Sequence, residues 1–321
     1  MNPATLAAAV KSAASDLGFD ACGITDLAPS SAGAALERWL DRGFHGEMRY
    51  VERQAPVRRE PARTWPEARS AVVVLDNYYQ REAEPGPGRG RVARYALGDD
   101  YHEVMKQKLQ RLGARLVAAA GEGRFRLYVD AGPLPERELA RRAGLGWVAK
   151  NTMLIRPELG SYTFIGVVLT DLELSRDQPF AADRCGTCRR CLDACPTAAF
   201  PEPRVLDATR CISYLTIEAR GAAPESLKPL VGDWLFGCDV CQEVCPWNVR
   251  FATETREPRY RARPAAEWPT LAEIVEMTER TFDEAFGQTA LERPGRAGLA
   301  RNATVVVENS SPGGAAQCPA A

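Results

Sequence analysis

The spacing of the cysteines constrains this chain more than any other feature of its sequence. Eight of its 10 cysteines lie between residues 185 and 245, and the first four follow the pattern C-x2-C-x2-C-x3-C-P. This run is typical of bacterial [4Fe–4S] proteins, in which the fourth cysteine binds a different cluster from the first three. A tight loop can place three sulfurs on three irons of one cube, and the chain then carries the fourth sulfur away. We therefore expect a fold built around metal clusters.

A second cysteine run has the same ending but lacks one member. It reads Cys238-Asp-Val-Cys241-Gln-Glu-Val-Cys245-Pro246, and the isolated Cys211 can take the missing place. The eight thiolates then suffice for two [4Fe–4S] clusters. We assign one cluster to Cys185, Cys188, Cys191 and Cys245. We assign the other to Cys195, Cys211, Cys238 and Cys241. The alternative is zinc, which C-x2-C pairs commonly bind, but zinc does not explain a C-x3-C-P ending that occurs twice.

The charge balance and the N-terminal residues limit which cellular compartment and which binding partners we expect for this chain. The 41 basic and 42 acidic side chains leave a net charge of −1, which excludes a globally basic nucleic-acid coat but not a local basic face. No basic segment precedes the apolar N-terminal stretch, and no apolar run approaches the roughly 20 residues of a membrane span. Clustered cysteines without a secretory signal favour metal binding over disulfides. We expect a cytoplasmic protein with no membrane span, in which Cys22 is a buried strand thiol and Cys318 a tail residue.

Residues 1–175 alternate helical and strand patterns, which predicts an α/β (or α+β) domain. Helices are predicted over residues 3–17, 34–42, 101–120 and 135–143. Strands are predicted over residues 21–25, 70–79, 126–130 and 162–170. From 176 to 250 the cysteines set the pattern, which predicts a ferredoxin-like domain with two [4Fe–4S] clusters. A short helical segment over 251–308 and a disordered tail over 309–321 complete the predicted organisation.

Asp130 is the candidate acid in the first domain. It ends a predicted strand and precedes Ala131-Gly132-Pro133. We expect the strand to be parallel, and a carboxylate at the C-terminal edge of a parallel strand lies where α/β sites form. If such a carboxylate is sheltered from water, its pKa rises and it can act as an acid. The alternative is a helix N-cap or turn aspartate.

Two cofactor motifs are present only in incomplete form. Gly144-Leu-Gly146-Trp-Val-Ala149 fits the dinucleotide pattern G-x-G-x-x-A, but it follows a predicted helix and not a strand, so turn geometry explains its glycines better. Asp100-Tyr-His102 begins the D-x-H-x-x-G pattern of proteins that bind cobalt through histidine, but the glycine is missing. Because His102 also starts an amphipathic helix, we expect a capping or supporting role for it.

Arginines surround Tyr260 in the segment after the second cysteine run. Their positions are 256, 259, 261 and 263. Arginines can contact phosphates while a tyrosine stacks on a base, so the segment could bind RNA. The alternative is a solvated charged face. A further basic patch over residues 53–63 includes Arg58.

Taken together, these motifs resemble the epoxyqueuosine reductase family, the cobalamin- and iron–sulfur-dependent enzymes of the last step of queuosine synthesis in tRNA. The resemblance covers about residues 1–305. Besides the two cysteine runs, it is carried by Tyr128-Val-Asp-Ala-Gly-Pro133, Ala143-Gly-Leu-Gly-Trp147, Gly160-Ser-Tyr162 and Arg210-Cys-Ile-Ser-Tyr214.

The resemblance implies that residues 1–175 form a cobalamin-binding reductase domain and that Asp130 is the proton donor. In the family, cobalamin is held base-off, without a histidine on cobalt. The cobalamin contacts that it implies are Arg58, Asp130, Asn151, Leu154, Ser161, Ile165 and Ser213. The implied reaction reduces epoxyqueuosine to queuosine at the tRNA wobble position. The implied partners are the anticodon loop of a queuosine-type tRNA and an external low-potential electron donor, and we expect a monomer.

The sequence departs from the longer family members near its end. Those members continue past an R-N-A segment, here residues 301–303, into a helical repeat domain that helps bind tRNA. We expect Arg256–Arg263, Arg293 and Arg296 to take over part of that contact. Two alternative functions remain open. One is a dehalogenase-like cobalamin reductase of a small molecule, a class usually exported by a twin-arginine signal that is not evident here. The other is an electron-transfer module without catalysis.

Overall fold

The computed structural model describes residues 1–81, 85–264 and 268–310. Most of the predicted disordered tail, with Cys318, lies outside these ranges. Its first two residues were assigned wrongly, because residues 309 and 310 end the last helix. Within the described ranges, no helix is long and apolar enough to cross a membrane.

The described chain contains helices from its beginning to its end. They are Pro3–Asp16 (α1), Gly33–Asp41 (α2), Arg49–Arg59 (α3), Tyr101–Ala120 (α4), Glu136–Arg142 (α5), Arg190–Asp193 (α6), Ile212–Ile217 (α7), Lys228–Val231 (α8), Val240–Glu243 (α9), Pro246–Phe251 (α10), Leu271–Glu276 (α11), Glu279–Phe286 (α12) and Gly295–Ser310 (α13). The strands are Ala21–Thr25 (β1), Ser70–Asn77 (β2), Arg91–Val92 (β3), Phe125–Val129 (β4), Trp147–Val148 (β5), Leu154–Ile155 (β6), Thr163–Thr170 (β7) and Trp234–Phe236 (β8).

A four-stranded sheet in the order β1-β2-β7-β4 forms the centre of the N-terminal region. One register line across it joins Gly23, Val73, Val167 and Tyr128. Alternate residues of β2 face opposite sides of the sheet. Val72 and Val74 pack in a core with α1 and α4, whereas Ala71, Val73 and Leu75 pack in a second core with α5. Both faces of the sheet are therefore covered by helices.

Each helix and strand predicted for this region is confirmed, and β1 and α4 match residue for residue. The predicted strand direction is wrong, because all three pairings in the sheet are antiparallel. Strands buried on both faces carry uninterrupted apolar runs, which are typical of parallel sheets. Burial on both faces explains those runs here as well, so the runs contain no information about strand direction. The fold is thus a mixed α+β arrangement.

The cysteine-rich loops and the C-terminal helices pack directly on the N-terminal region. β3 pairs with β8, whose residues share a core with α11, α12 and α13. Tyr260, from the arginine-rich segment, lies in the same core as α1 and α4. The three regions are therefore joined by shared cores.

A buried ion pair connects α4 to the central sheet. The Lys108 ammonium lies 2.5 Å from the Asp76 carboxylate, and Tyr260 donates a hydrogen bond of 2.9 Å to the same oxygen. All three side chains are buried. Burial raises the pKa of Asp76, although Lys108 and Tyr260 oppose this effect. The charges stay compensated only while the three side chains remain together.

Replacing Lys108 by methionine should therefore destabilise the protein strongly. Removing one partner of a buried pair typically costs about 3–5 kcal/mol, because the other charge is left unpaired. Urea denaturation of the anaerobically prepared protein measures this loss. The control is Lys106→Met on the same helix, where an exposed pair with Glu103 is worth at most about 1 kcal/mol. Equal losses in the two variants would contradict the prediction.

Candidate catalytic cleft and cluster sites

The eight clustered cysteines lie in two groups of four. The Cys191 thiol is within electrostatic range of Cys185, Cys188 and Cys245. The second group, around the Cys241 thiol, contains Cys195, Cys211 and Cys238. These are the two ligand sets that the sequence predicts, including the exchange of the fourth cysteine between the two runs. That these thiols bind clusters stays a prediction.

The donor set fits iron–sulfur clusters well. Among the described residues, no three histidine, cysteine or acidic side chains converge tightly enough to share a single metal ion. Two groups of four thiols are the donor set that two [4Fe–4S] clusters require.

Local folding aims N–H groups at several of these sulfurs. Cys211 and Cys245 are the N-caps of α7 and α10, and backbone N–H groups of the following helical turn lower the pKa of each thiol, although burial raises it overall. The proline after Cys245 occupies the first helical turn, where its missing N–H costs nothing. The Trp147 indole also donates to the Cys185 sulfur at 3.4 Å. Such hydrogen bonds stabilise bound thiolates and tune cluster potentials.

Asp130 directly follows β4, in a left-handed backbone conformation with φ of 52°. Tyr101 donates a hydrogen bond of 2.9 Å to its Oδ2, and His102 Nε2 lies 3.7 Å from the same oxygen. The Asp130 N–H donates to Glu136 at 2.8 Å. The Asp130 side chain is 68% exposed. Its carboxylate therefore faces an open space at the protein surface, which we call the cleft.

The electrostatics of Asp130 differ from the prediction. Burial alone would raise its pKa, but the nearby His102 and the hydrogen bond from Tyr101 outweigh that effect, and the pKa lies below its usual value. For His102, burial would lower the pKa, yet the hydrogen bond with Asp100 and the nearby Asp130 carboxylate raise it to about 9. The two side chains thus carry opposite charges at neutral pH. The sequence predicted a raised pKa only for a carboxylate sheltered from water, and it did not anticipate these two neighbours, which lower the pKa instead.

Three further charged residues hold the Asp130 loop. Arg58, on α3, donates to the carbonyl oxygens of Gly132 and Leu134, both at 3.2 Å. Arg137, on α5, donates to the Thr152 carbonyl oxygen at 2.8 Å. Burial and the nearby Asp130 charge raise the pKa of Glu136 to about 8. Of these residues, only Arg58 was predicted as a site residue.

Sequence reasoning missed Tyr101, Glu136 and Arg137 as residues around the acid. Their positions carried a signal, since Tyr101 begins α4, and Glu136 and Arg137 begin α5. Both helices start beside the end of β4. Without the strand order, nothing in the sequence brings these two helix starts together.

Of the other predicted cofactor contacts, two bond to residues of the second cysteine run. Asn151 donates to the Cys241 carbonyl oxygen at 3.2 Å, and Ser161 donates to Gln242 at 2.9 Å. Ser213 follows Cys211 and is half-buried. Ile165 is partly buried against the core, whereas the Leu154 side chain lies in the core itself. Leu154 could therefore contact a ligand in the cleft mainly through its backbone.

The predicted RNA-binding arginines are mostly paired with acidic residues. Arg256 lies 2.9 Å from Asp20, and Arg293 lies 3.1 Å from Glu218. The other pairs are Arg259 with Glu257, Arg263 with Asp99, and Arg296 with Glu279. Contact with RNA stays a prediction for these side chains.

Two family models match this chain. Residues 58–131 match Epoxyqueuosine reductase QueG, DUF1730, and residues 184–248 match the 4Fe-4S double cluster binding domain. The epoxyqueuosine reductase of Pseudomonas aeruginosa is 40% identical over 314 residues, which are 96% of this chain and 87% of the relative. The Escherichia coli epoxyqueuosine reductase is 39% identical over 310 residues, covering 95% of this chain and 81% of the relative.

Solved structures show the same similarity. A crystal structure of epoxyqueuosine reductase with an epoxyqueuosine-modified tRNA-Tyr stem loop has a TM-score of 0.86 and 32% identity, covering 94% of this chain and 81% of that one. The Bacillus subtilis epoxyqueuosine reductase has a TM-score of 0.83 and 31% identity with the same coverage. In that structure the loop with the catalytic aspartate is swung out of the active site.

Glu136→Gln should change how stability depends on pH. The pKa of Glu136 is about 8 in the folded protein against an ordinary value of 4.5, so between these values only the folded state keeps the proton. The wild type therefore loses stability as the pH rises through this window. Thermal unfolding between pH 5 and 8 should show the variant gaining stability relative to the wild type.

The control for this measurement is Glu103→Gln, at an exposed position on α4. Glutamine keeps the acceptor oxygen for the Asp130 N–H, so hydrogen bonding is matched between the wild type and Glu136→Gln. A stability difference that does not vary with pH would contradict the assignment.

Proposed function

This chain belongs to the epoxyqueuosine reductase family, and we propose that it reduces epoxyqueuosine in tRNA to queuosine. The similarity to curated epoxyqueuosine reductases along nearly the whole chain carries the proposal. The structure supports it, because Asp130, the residue that would protonate the leaving oxygen, accepts a hydrogen bond from Tyr101. The Tyr101 ring packs on Tyr95, and Tyr95 packs on Phe236 just before the second cysteine run. A protein that acts on tRNA is expected in the cytoplasm.

The two cysteine groups would hold two [4Fe–4S] clusters in a ferredoxin-like domain over residues 176–250. Burial raises the pKa of Cys191 to about 11, so the free thiol keeps its proton. Binding iron requires the thiolate form. The positive charge of the metal compensates the negative charge of the buried thiolate, which the surrounding protein does not compensate. An external low-potential donor would deliver electrons to these sites.

The cleft fits cobalamin held without a histidine ligand. The ring nitrogens of His102 are directed at Asp100 and Asp130, at 2.8 Å and 3.7 Å, so neither is free for cobalt. The Arg58 Nε is buried without a hydrogen-bond partner among the described residues, as expected beside an absent polar ligand. Residues 1–175 would then form the cofactor domain, with contacts from Arg58, Asn151, Leu154, Ser161, Ile165 and Ser213. When bound, cobalamin supplies reduced cobalt, a nucleophile suited to a strained C–O bond.

Asp130 would act as the acid once the cleft is filled. Tyr101 and His102 both contact its Oδ2, which leaves Oδ1 without a partner among the described residues. A ligand that displaces water from the cleft removes solvation from the carboxylate and raises its pKa. The bound substrate would thereby favour the protonated form of Asp130, which its neighbours Tyr101 and His102 otherwise disfavour.

The substrate base must leave the anticodon loop to reach a cleft of this kind. Single-stranded RNA loops allow this, because their bases can be splayed out and stacked on aromatic side chains. Arg256–Arg263, Arg293 and Arg296 would contact the phosphates. Exposed arginines can exchange their carboxylate partners for phosphates, because a surface ion pair is worth only about 0–1 kcal/mol. We propose that the chain acts as a monomer.

Asp130→Asn should abolish most of the activity. A positioned acid contributes about 10²–10⁴-fold to the rate, and asparagine cannot donate the proton. Nucleoside mass spectrometry of tRNA treated anaerobically with the reconstituted variant should find epoxyqueuosine retained. The control is Asp16→Asn, an exposed residue of α1. Wild-type yields of queuosine from Asp130→Asn would refute the role of the carboxyl group. A wild type that retains corrinoid but leaves the tRNA unchanged would favour the small-molecule reductase.

Alanine substitutions of single cysteines should each remove one cluster of the two. Cys188→Ala and Cys245→Ala should lose the same electron paramagnetic resonance signal, and Cys195→Ala and Cys241→Ala should lose the other. Iron content should fall from about eight to about four atoms in each case. Cys22→Ala is the control, because this thiol belongs to neither group. The crossed assignment is wrong if Cys245 and Cys241 affect the same signal.

A further inference from the structure

The proposed reaction needs more protons than one carboxyl group holds. Converting an epoxide to an alkene consumes two electrons and two protons, and both protons leave with the oxygen as water. Asp130 can carry one proton at a time, so something must reload it between the two steps. This requirement rests on the proposed function and points to a neighbour of Asp130.

The side chains of Asp100, His102 and Asp130 lie in a row. Asp100 is the N-cap of α4 and accepts the His102 backbone N–H at 2.9 Å. The same oxygen lies 2.8 Å from His102 Nδ1, which directs the opposite ring nitrogen, Nε2, at Asp130 Oδ2, 3.7 Å away. The Tyr101 ring stacks on the imidazole at 4.0 Å. The imidazole is therefore held in place from both sides, with its second nitrogen aimed at the acid.

We propose that His102 is a proton-relay residue that reloads Asp130, and that Asp100 positions it. In the first step Asp130 protonates the oxygen as one C–O bond breaks, leaving a hydroxyl group. His102 Nε2 then passes its proton to Asp130 and becomes neutral. Asp130 delivers this second proton as the remaining C–O bond breaks, and water and the alkene form. The two electrons come from the low-potential donor of the proposed function. They enter at the carbon where the first C–O bond breaks, the electron pair of each broken C–O bond stays on oxygen, and the two added electrons become the π bond of the alkene.

Geometry allows this proton to be passed on and replaced. Rotation of the carboxyl group about its Cβ–Cγ bond exchanges its two oxygens, which moves the proton from the His102 side to the open side. The distance of 3.7 Å is longer than a hydrogen bond, and catalytic hydrogen bonds often tighten only when the substrate is bound. His102 keeps 27% of its side chain exposed, so it can regain a proton from water.

The charges around His102 and Asp130 keep His102 protonated at neutral pH. Besides Asp100 and Asp130, the titratable and charged groups nearby are Tyr95, Tyr101, Lys106, Glu136, Arg137 and Arg293. The two carboxylates outweigh the effect of burial and raise the pKa of His102 to about 9. Its proton is therefore present below this pH and lost as the pH rises through it.

The other neighbours of Asp130 are poorer sources of a proton. Glu136 contacts the backbone N–H of Asp130 and not its carboxylate. Tyr101 contacts the carboxylate, but burial and the Asp130 charge raise its pKa well above the usual value, so it holds its proton more firmly. Among the described residues, His102 combines proximity to the carboxylate, exposure to solvent and a proton that it can release.

The test compares His102→Gln and His102→Ala with the wild type, using epoxyqueuosine-tRNA, bound cobalamin and excess reductant. Steady-state turnover near pH 7.5 should fall about 10²-fold in both variants. The alkaline fall in wild-type activity, centred near pH 9, should be absent from His102→Gln. Added imidazole should restore turnover of His102→Ala, since it can occupy the vacated space and carry a proton.

Controls separate the relay from misfolding and from failure of the proposed function. Iron content, corrinoid content and tRNA binding should match the wild type in both variants. Arg115→Gln, near the far end of α4, should leave turnover and its pH profile unchanged. The relay is overturned if His102→Gln keeps the alkaline fall in activity of the wild type, or if imidazole does not restore turnover of His102→Ala. In that case an inactive Asp130→Asn would still support the proposed function. A wild type that does not reduce epoxyqueuosine would overturn the proposed function itself.

Discussion

The convergence of eight thiols into two crossed groups is the constraint on which the rest of this structure depends. Cys245 joins a group whose other members lie more than fifty residues earlier, and Cys195 joins the later group. The chain between the two runs must therefore return on itself, and the loops that carry the thiols lie side by side. Asn151 and Ser161 contact the second of these loops, which joins the cysteines to the N-terminal sheet.

The sheet places the acid at the edge of this arrangement. β4 ends at Val129, and Asp130 then adopts a left-handed conformation that turns the chain sharply towards α5. α4 packs along the same sheet and begins at Tyr101, so the start of this helix comes to lie beside the acid. Two helix starts and one strand end thus assemble a charged cluster in an open cleft. Its opposite charges stabilise each other, which keeps Asp130 ionised until a ligand changes its surroundings.

Much of the fold could be predicted because local patterns were strong. The face of α4 that contains Met105, Leu109 and Leu112 is buried, as its period of 3.6 residues predicts. The direction of the strands could not be predicted, because burial on both faces removes the alternation that marks an antiparallel strand. The charge state of Asp130 was also beyond sequence reasoning, since its neighbours Tyr101 and His102 lie 28 or 29 residues earlier in the chain.

The sequence by itself determined the ligand chemistry and the family, because cysteine spacing and the short motifs around Asp130 are local properties of the chain. It also determined the long helices and strands around the central sheet, because hydrophobic periodicity is local too. It did not determine α3, whose sequence is mostly polar. Only the tertiary structure decided that the sheet is antiparallel, that Tyr101 lies beside the acid, and that His102 is aimed at it. These are contacts between distant segments, and their electrostatic effects depend on distances and burial that no local pattern encodes.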